Sequence, residues 1–381
     1  MFKGGIHTLR AYYKILAWSL TALYKGRWPT HDAFGNEYTR GADKERADTD
    51  LADGYFGVTW SFNNDLDFAA KEMELANYRK LNSNPCNHCP CNQSTLPWDD
   101  LKPTAAWVSN SFSVDAWRAF YKNLIELFNV PGVNVLCLGV DIMHVKHMGS
   151  DMYFYGSVLY MLVYEILTDR PFANLQEVFS LIKKYYVANA TPTRYENMTL
   201  SMIVGDVQNP QNKYPKLKGR ASEVRHLGGA LLEVWERFMD RGGGEAGTLH
   251  KKVRLGLRMS VCIENVLTRC KHHYKLEGDD LSEYEKAIWG FLSVQNSLAH
   301  DMVRAKKKLF NVTIKSHCLG HSALRAGFIN PVLEWCYGGE SMMHTTKTLA
   351  ASCVARSPPS GMYEKFWIKY RCGVHMKADA L

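Results

Sequence analysis

The stretch Val133-Asn134-Val135-Leu136-Cys137-Leu138-Gly139-Val140, running into Asp141-Ile142-Met143-His144, decides how the rest of the chain is read. It is a continuous apolar run behind a Pro131-Gly132 break. A short apolar run bounded by turn signals has the signature of a strand buried on both faces. Toward the N-terminus, residues 55–62 (YFGVTWSF) carry the aromatic and β-branched content of a second strand. That segment runs into Asn63-Asn64-Asp65-Leu66-Asp67. Both candidate strands therefore end on carboxylates. Pairing them would bring Asp65 and Asp141 to one edge.

Around these two segments the pattern is helical. Leu9, Tyr12, Ile15, Leu16, Leu20 and Leu23 predict an amphipathic helix over 9–24, followed by a charged, Asp-rich loop over 31–54. A helix is expected over 67–80, and another behind Ser113, a residue suited to an N-cap. Beyond His144 the apolar spacing predicts helices over 151–168, 174–188, 219–240, 246–275, 280–310 and 340–355, with Arg241-Gly242-Gly243-Gly244 as a break. The fold class read from this pattern is α/β, dominated by helices.

With 381 residues, 46% apolar and 22% charged, the chain has ordinary globular values, which excludes a disordered or low-complexity protein. No uncharged apolar run reaches the ~18 residues that span a bilayer, so no membrane is expected. Net charge is 46 − 38 = +8 and is unevenly spread. Residues 40–130 hold 9 Lys and Arg against 13 Asp and Glu, whereas residues 213–275 hold 14 against 6. A basic second half, with Arg304, Lys306, Lys307 and Lys308 clustered, fits either a polyanion partner or a solvated helix face. Of ten cysteines, Cys86, Cys89 and Cys91 fall together and the other seven are scattered. That is not the dense pattern of a secreted disulfide framework, and it predicts a reducing compartment.

Two constellations can carry chemistry. The first is acidic. Asp65 and Asp141 at strand ends, joined by Glu223 at the start of a later helix, are the residue types that hold two divalent ions for phosphoryl transfer. The bland reading is that such acids are caps. The second constellation is Cys86-x-x-Cys89-x-Cys91. Thiolates two residues apart can share one tetrahedral Zn²⁺. His144 and His147, just past the second strand, are the nearest candidates for the other half of the site, with Cys91 as a substitute. His317 and His321 are spaced i, i+4 and can share a metal, but they are read here as satisfied core or surface histidines. No Walker A loop, G-x-G-x-x-G, G-x-S-x-G or HExxH is present, which argues against a nucleotide motor, a dehydrogenase, an α/β-hydrolase and a zincin.

The order of these motifs carries a resemblance. Asn64-Asp65-Leu66-Asp67-Phe68, Pro85-Cys86-x-x-Cys89, Asp141-x-Met143-His144 and Lys218-Gly219-x-Ala221-x-Glu223-x-Arg225 follow one another. Trp335-Cys336-Tyr337-Gly338-Gly339-Glu340 comes after them. The series resembles the transposases of CACTA-type (EnSpm-like and Plavaka-like) DNA transposons over roughly residues 10–370. The resemblance implies a partial ribonuclease-H-like core over 55–240 with a Cys-rich insertion. A helical segment over 1–54 would precede it, and a basic helical region over 241–381 would follow. It implies a DDE/D triad of Asp65, Asp141 and Glu223, with Glu340 as substitute, and Mg²⁺ or Mn²⁺ as catalytic cofactor. Structural Zn²⁺, transposon-end DNA as partner, possible homo-oligomerisation and a nuclear location are implied with it. The family's first catalytic Asp sits on an early strand, upstream of anything found here. Either Asp65 and Asp141 are two of the triad, or the first Asp is lost and the chain is an inactive remnant that binds DNA or protein. A helical interaction protein with an incidental Cys loop is the third reading.

Overall fold

The computed structural model describes residues 6–354 and 358–378. They fall into two compact units that divide between Trp335 and Cys336. The second unit consists of the helices Tyr337–Val354 and Pro359–Ala378, packed on each other. The last residue of the helix expected over 340–355 lies outside the described residues.

The first unit is built from helices. Val253, Leu257, Ile263 and Leu267 recur at helical spacing and bury one stripe of the helix Glu245–Arg269. That stripe packs against Gly228–Phe238 on one side and the long helix Gly278–Arg304 on the other. Gly278–Arg304 in turn packs on Ile314–Arg325. At the centre lies a continuous helical rod. It is π-wound over Met143–Ser150, α-helical over Asp151–Tyr160 and π-wound again over Met161–Ile166. Phe154, Tyr155, Val158 and Leu159 are fully buried along it, as expected of a helix apolar all round. Ile314–Arg325 packs on the π-wound start of this rod, where Ser316 hydrogen-bonds to Ser150 and Lys315 donates to the Met148 carbonyl.

The sequence expectation of two strands needs correction. Among the described residues there is no sheet, only isolated bridges. Most of residues 133–140 are buried as expected, but Leu136 is 44% exposed, and the segment is no strand: Val135–Cys137 forms a 3₁₀ turn. The cause is local. The Asn134 side chain accepts the Leu136 N–H at 2.8 Å, an alternative to a ladder bond. Gly132, at φ +82°, turns the chain just before it. Apolar burial comes from another source. Val133, Val135 and Leu138 join Tyr13, Trp117 and Phe128 in a small core beneath the helix Ile6–Lys25. Residues 55–62 run without regular structure, and Trp60 is 54% exposed. The two segments do lie side by side. Phe62 N–H donates to the Cys137 carbonyl at 2.7 Å, Gly139 N–H donates to the Phe62 carbonyl at 3.2 Å, and a single parallel bridge joins Phe62 to Leu138. The helix expected over 67–80 is only Leu66–Lys71, capped by Asp65, whose carboxylate accepts the Phe68 N–H at 2.6 Å.

Candidate functional site

The Cys loop is held from several sides before any ligand is considered. The Asn87 side chain accepts the Ala76 N–H at 2.9 Å, and the His88 carbonyl accepts the Phe112 N–H at 2.8 Å. Cys86, Cys89 and Cys91 are all fully buried. Facing them is the helix Ile314–Arg325. Its His317 and His321, one turn apart, present their rings on one face. The ligand atoms of Cys86, Cys89, His317 and His321 all lie within 4.8 Å of one another, so the four can hold a metal ion.

The histidines are oriented by their surroundings. His317 Nδ1 lies 3.1 Å from the Trp98 carbonyl, which can only accept, so Nδ1 carries the proton. Its Nε2 lone pair then faces Cys89 Sγ at 3.3 Å. His321 Nε2 is 3.4 Å from the same sulfur. A carbonyl that fixes the far nitrogen of a histidine is the usual support of a metal-ligating imidazole. Trp107 closes the site, its ring 4.1 Å from that of His317 and 4.9 Å from that of His321. Its indole N–H donates to the Asp100 carbonyl at 2.7 Å. Gly320 makes room for it, since a Cβ there would lie 2.8 Å from the Trp107 ring.

Burial pushes the Cys86 thiol up. Hydrogen bonds from the thiols of Cys318, Cys89 and Cys91, together with the His321 ring, outweigh burial and hold Cys86 well below the usual range. Burial pushes Cys89 up, and the neighbouring Cys86 and Cys91 add to it. The neighbouring thiols therefore favour negative charge on Cys86 and disfavour it on Cys89. Burial lowers the His321 pKa and so keeps that ring neutral, the state in which it ligates metals.

His144 and His147, the expected partners of the cysteines, lie elsewhere. His147 is fully buried with Nε2 2.8 Å from a Glu264 carboxylate oxygen. His144 joins the acids. Its Nδ1 hydrogen-bonds to the Asp141 carboxylate, and its Nε2 stands 3.9 Å from Asp65 Oδ2. Asp65, Asp141 and His144 line one cleft, which Asn87, His88 and Cys318 also line. Lys315 stands near both acids. Burial, with Lys216 nearby, lowers its pKa against the pull of Asp65 and Asp141, and its ammonium donates to the Met148 carbonyl at 2.9 Å. Asp141 also caps the rod that follows, accepting the Met143 N–H at 3.0 Å.

Glu223 is engaged within its own turn. One carboxylate oxygen accepts the Arg220 N–H at 2.7 Å and the other accepts its guanidinium at 2.7 Å. Glu340 lies in the helix Tyr337–Val354 of the second unit. Of the expected basic cluster, Lys307 pairs with Glu165, Arg304 pairs with Asp301, and Lys308 donates to the Asn212 carbonyl at 2.7 Å.

A second polar centre escaped the sequence reading. The Lys146 ammonium, fully buried, donates to Asp151 at 2.8 Å, Glu264 at 2.9 Å and Ser260 at 3.0 Å. Arg225 Nε donates to the other Glu264 oxygen at 2.8 Å. Burial pushes Glu264 up, but Lys146, His147 and Arg225 outweigh it and hold its carboxyl well below the usual range. His147, Asp151 and Glu264 also cluster closely enough for a metal, but the ammonium of Lys146 already supplies the cation there. The signal for it was available. Val253, Leu257, Ser260, Glu264 and Leu267 follow one helical stripe, and a glutamate on an apolar stripe requires a buried partner.

No helix among the described residues is long and apolar enough to cross a membrane. In comparisons with known proteins, the chain matches no family model, no curated protein and no solved structure.

Proposed function

We propose that the chain is a transposase-derived protein whose scaffold is organised by Zn²⁺ at Cys86, Cys89, His317 and His321. One observation carries the metal reading: the Trp98 carbonyl takes the His317 Nδ1 proton and leaves the Nε2 lone pair aimed at Cys89. Two sulfurs and two imidazoles suit a closed tetrahedral zinc site. Bound there, zinc would join the Cys loop to the helix Ile314–Arg325 and contribute folding free energy. The Zn²⁺ assignment thus moves from His144 and His147 to His317 and His321.

The catalytic part of the proposal rests on the cleft beside that centre. Asp65 and Asp141 offer carboxylate oxygens of the kind that suit Mg²⁺ or Mn²⁺. Such an ion would activate a water or a 3′-hydroxyl and steady the leaving oxygen in DNA strand cleavage and transfer. His144, hydrogen-bonded to Asp141, orients that carboxylate. Partial ribonuclease-H-like ancestry, DNA as partner, self-association and a nuclear location belong to this reading and are supported by the motif order alone.

A second reading, the inactive remnant, is favoured by Glu223, whose two oxygens are both taken by Arg220. A cleavage assay on labelled duplex DNA, with and without Mn²⁺, separates the two. Divalent-dependent nicking that Asp141→Asn abolishes supports the enzyme. Wild type that binds zinc but never nicks supports the scaffold. Absence of zinc from protein purified without chelators would remove the metal centre on which both rest.

A further inference from the structure

A cavity that the metal centre does not use lies beside the helix Ile6–Lys25. Its volume is about 440 Å³, inside the range of about 300–1,000 Å³ for sites that hold small molecules. Its walls are that helix, residues 27–31, Asp48 and the 3₁₀ turn Glu126–Asn129. Three features of the lining each fit a different part of a ligand. The first is a carboxylate. Glu126 lies between Ile125 and Leu127, both buried, and its Oε2 is buried with no hydrogen-bond partner among the described residues. A carboxylate left unpaired in this way is costly, and it is suited to donors that arrive with a ligand. The second is an aromatic face fixed in place. Trp18 lines the cavity and donates its indole N–H to the His31 carbonyl at 2.8 Å. The third is a pair of cations. Lys14, Trp18, Thr21 and Lys25 recur at helical spacing and all line the cavity, so they form one stripe of the helix. At ~1.5 Å per residue, the two lysines flank Trp18 at roughly 6 and 10 Å along the axis. Both are exposed, and neither forms an ion pair among the described residues. Arg27, by contrast, is paired with Asp48 at 3.0 Å.

We propose that this cavity binds a guanine nucleotide, with the base on Trp18 and Glu126 and the phosphates held by the flanking lysines. The choice of base follows from the carboxylate, which can only accept hydrogen bonds. Guanine presents two parallel N–H donors on one edge, a bidentate match for Glu126. Adenine presents one donor beside an acceptor nitrogen, which the carboxylate repels. An aromatic face stacks any base, so Trp18 adds affinity without choosing among them. The lysines add attraction for the phosphates and no selection of the base. Neither the metal centre nor strand cleavage enters into this assignment.

The test is isothermal titration calorimetry on the full chain at low salt, with GDP, ADP, guanosine and agmatine as probes. GDP should bind at one per chain and roughly tenfold or more tighter than ADP, the discrimination of one good bidentate pair. Guanosine should bind more weakly than GDP, and added salt should narrow that gap, because the lysines are exposed and screened. Glu126→Gln keeps the shape of the side chain and should erase the preference for GDP over ADP. Lys14→Gln combined with Lys25→Gln should bring GDP down to the affinity of guanosine. Far-ultraviolet circular dichroism checks that each variant is folded, and the ligand series on unsubstituted protein decides the matter without them. No binding of GDP, equal binding of GDP and ADP, or a preference that survives Glu126→Gln overturns the assignment. Agmatine, a guanidinium compound without phosphate, binding as tightly as GDP would assign the cavity to a cationic ligand and overturn it as well.

Discussion

Replacing Lys146 by methionine tests how the rod bearing His144 is held. The substitution keeps the aliphatic stem and removes the ammonium, with its hydrogen bonds to Asp151, Glu264 and Ser260. Glu264 would keep Arg225 and His147 as partners, so the loss falls mainly on Asp151, which is 0% exposed and cannot rehydrate. Removing one member of a buried pair costs about 3–5 kcal/mol, because the other charge is left uncompensated. That is a large fraction of the ~5–15 kcal/mol by which domains are stable. Urea unfolding should show a lower midpoint with an unchanged slope. The pH dependence has a definite sign. Burial already raises the Asp151 pKa, and Lys146 is the chief opposing influence. Without Lys146, Asp151 in the folded variant protonates well above its unfolded value. The native state then binds more protons than the unfolded state, so stability falls as pH rises. The penalty should be largest near about pH 8 and shrink toward about pH 5. Adding Asp151→Asn should recover part of the loss. A penalty below about 1 kcal/mol, the range of exposed ion pairs, or one that does not change with pH, would refute the argument.

Three further outcomes are expected. Gly320→Ala places a Cβ 2.8 Å from the Trp107 ring and 3.1 Å from the Trp289 ring. It should cost about 1–3 kcal/mol in urea unfolding and weaken zinc retention, since Trp107 packs at a tilt against the rings of both His317 and His321. His250 accepts the Asp240 N–H at Nδ1 at 2.8 Å, and burial holds its pKa low. The unfolded histidine therefore takes the proton first, so thermal stability should drop as pH falls below ~6.5, and His250→Gln should flatten that drop. Asn330 donates to the Cys270 carbonyl at 2.7 Å and the His273 carbonyl at 2.9 Å, pinning the turn between two long helices. Asn330→Ala should cost about 1–3 kcal/mol in urea unfolding, although the Cys270 carbonyl keeps the His273 N–H as a partner, and proteases should nick residues 270–275 sooner.

Much of this architecture was legible because it is local. Helical stripes such as Val253–Leu257–Ile263–Leu267 reveal themselves by spacing. The apolar run 133–140 announced burial for most of its residues, Leu136 excepted, but not geometry, because an apolar run is equally consistent with a 3₁₀ turn packed under a helix. The juxtaposition of Asp65 and Asp141 followed from two apolar segments ending in acids, and both do line one cleft although no sheet joins them. The ligands opposite Cys86 and Cys89 were harder to assign. His144 leaves a rigid segment near the cysteines in sequence, yet its ring is captured by Asp141 three residues away. His317 and His321 reach the site only through the docking of one helix across another. Spacing along the chain records which residues share a helix face, but not which foreign loop that face will meet.

A metal held by Cys86, Cys89, His317 and His321 would also constrain the order in which the protein can be made. Cys89 and His317 are 228 residues apart. At ~5–20 residues per second, a ribosome needs roughly 10–50 s to go from the first ligand pair to the second. Throughout that interval Cys86, Cys89 and Cys91 are free nascent thiols, open to oxidation or to capture by a chaperone. Closing so long a loop is entropically expensive, though the cost rises only by about 0.6 kcal/mol per doubling of length. Zinc acquisition would then act as a late checkpoint of synthesis, since a chain cut short before His321 cannot complete the site and leaves its cysteines exposed to quality control.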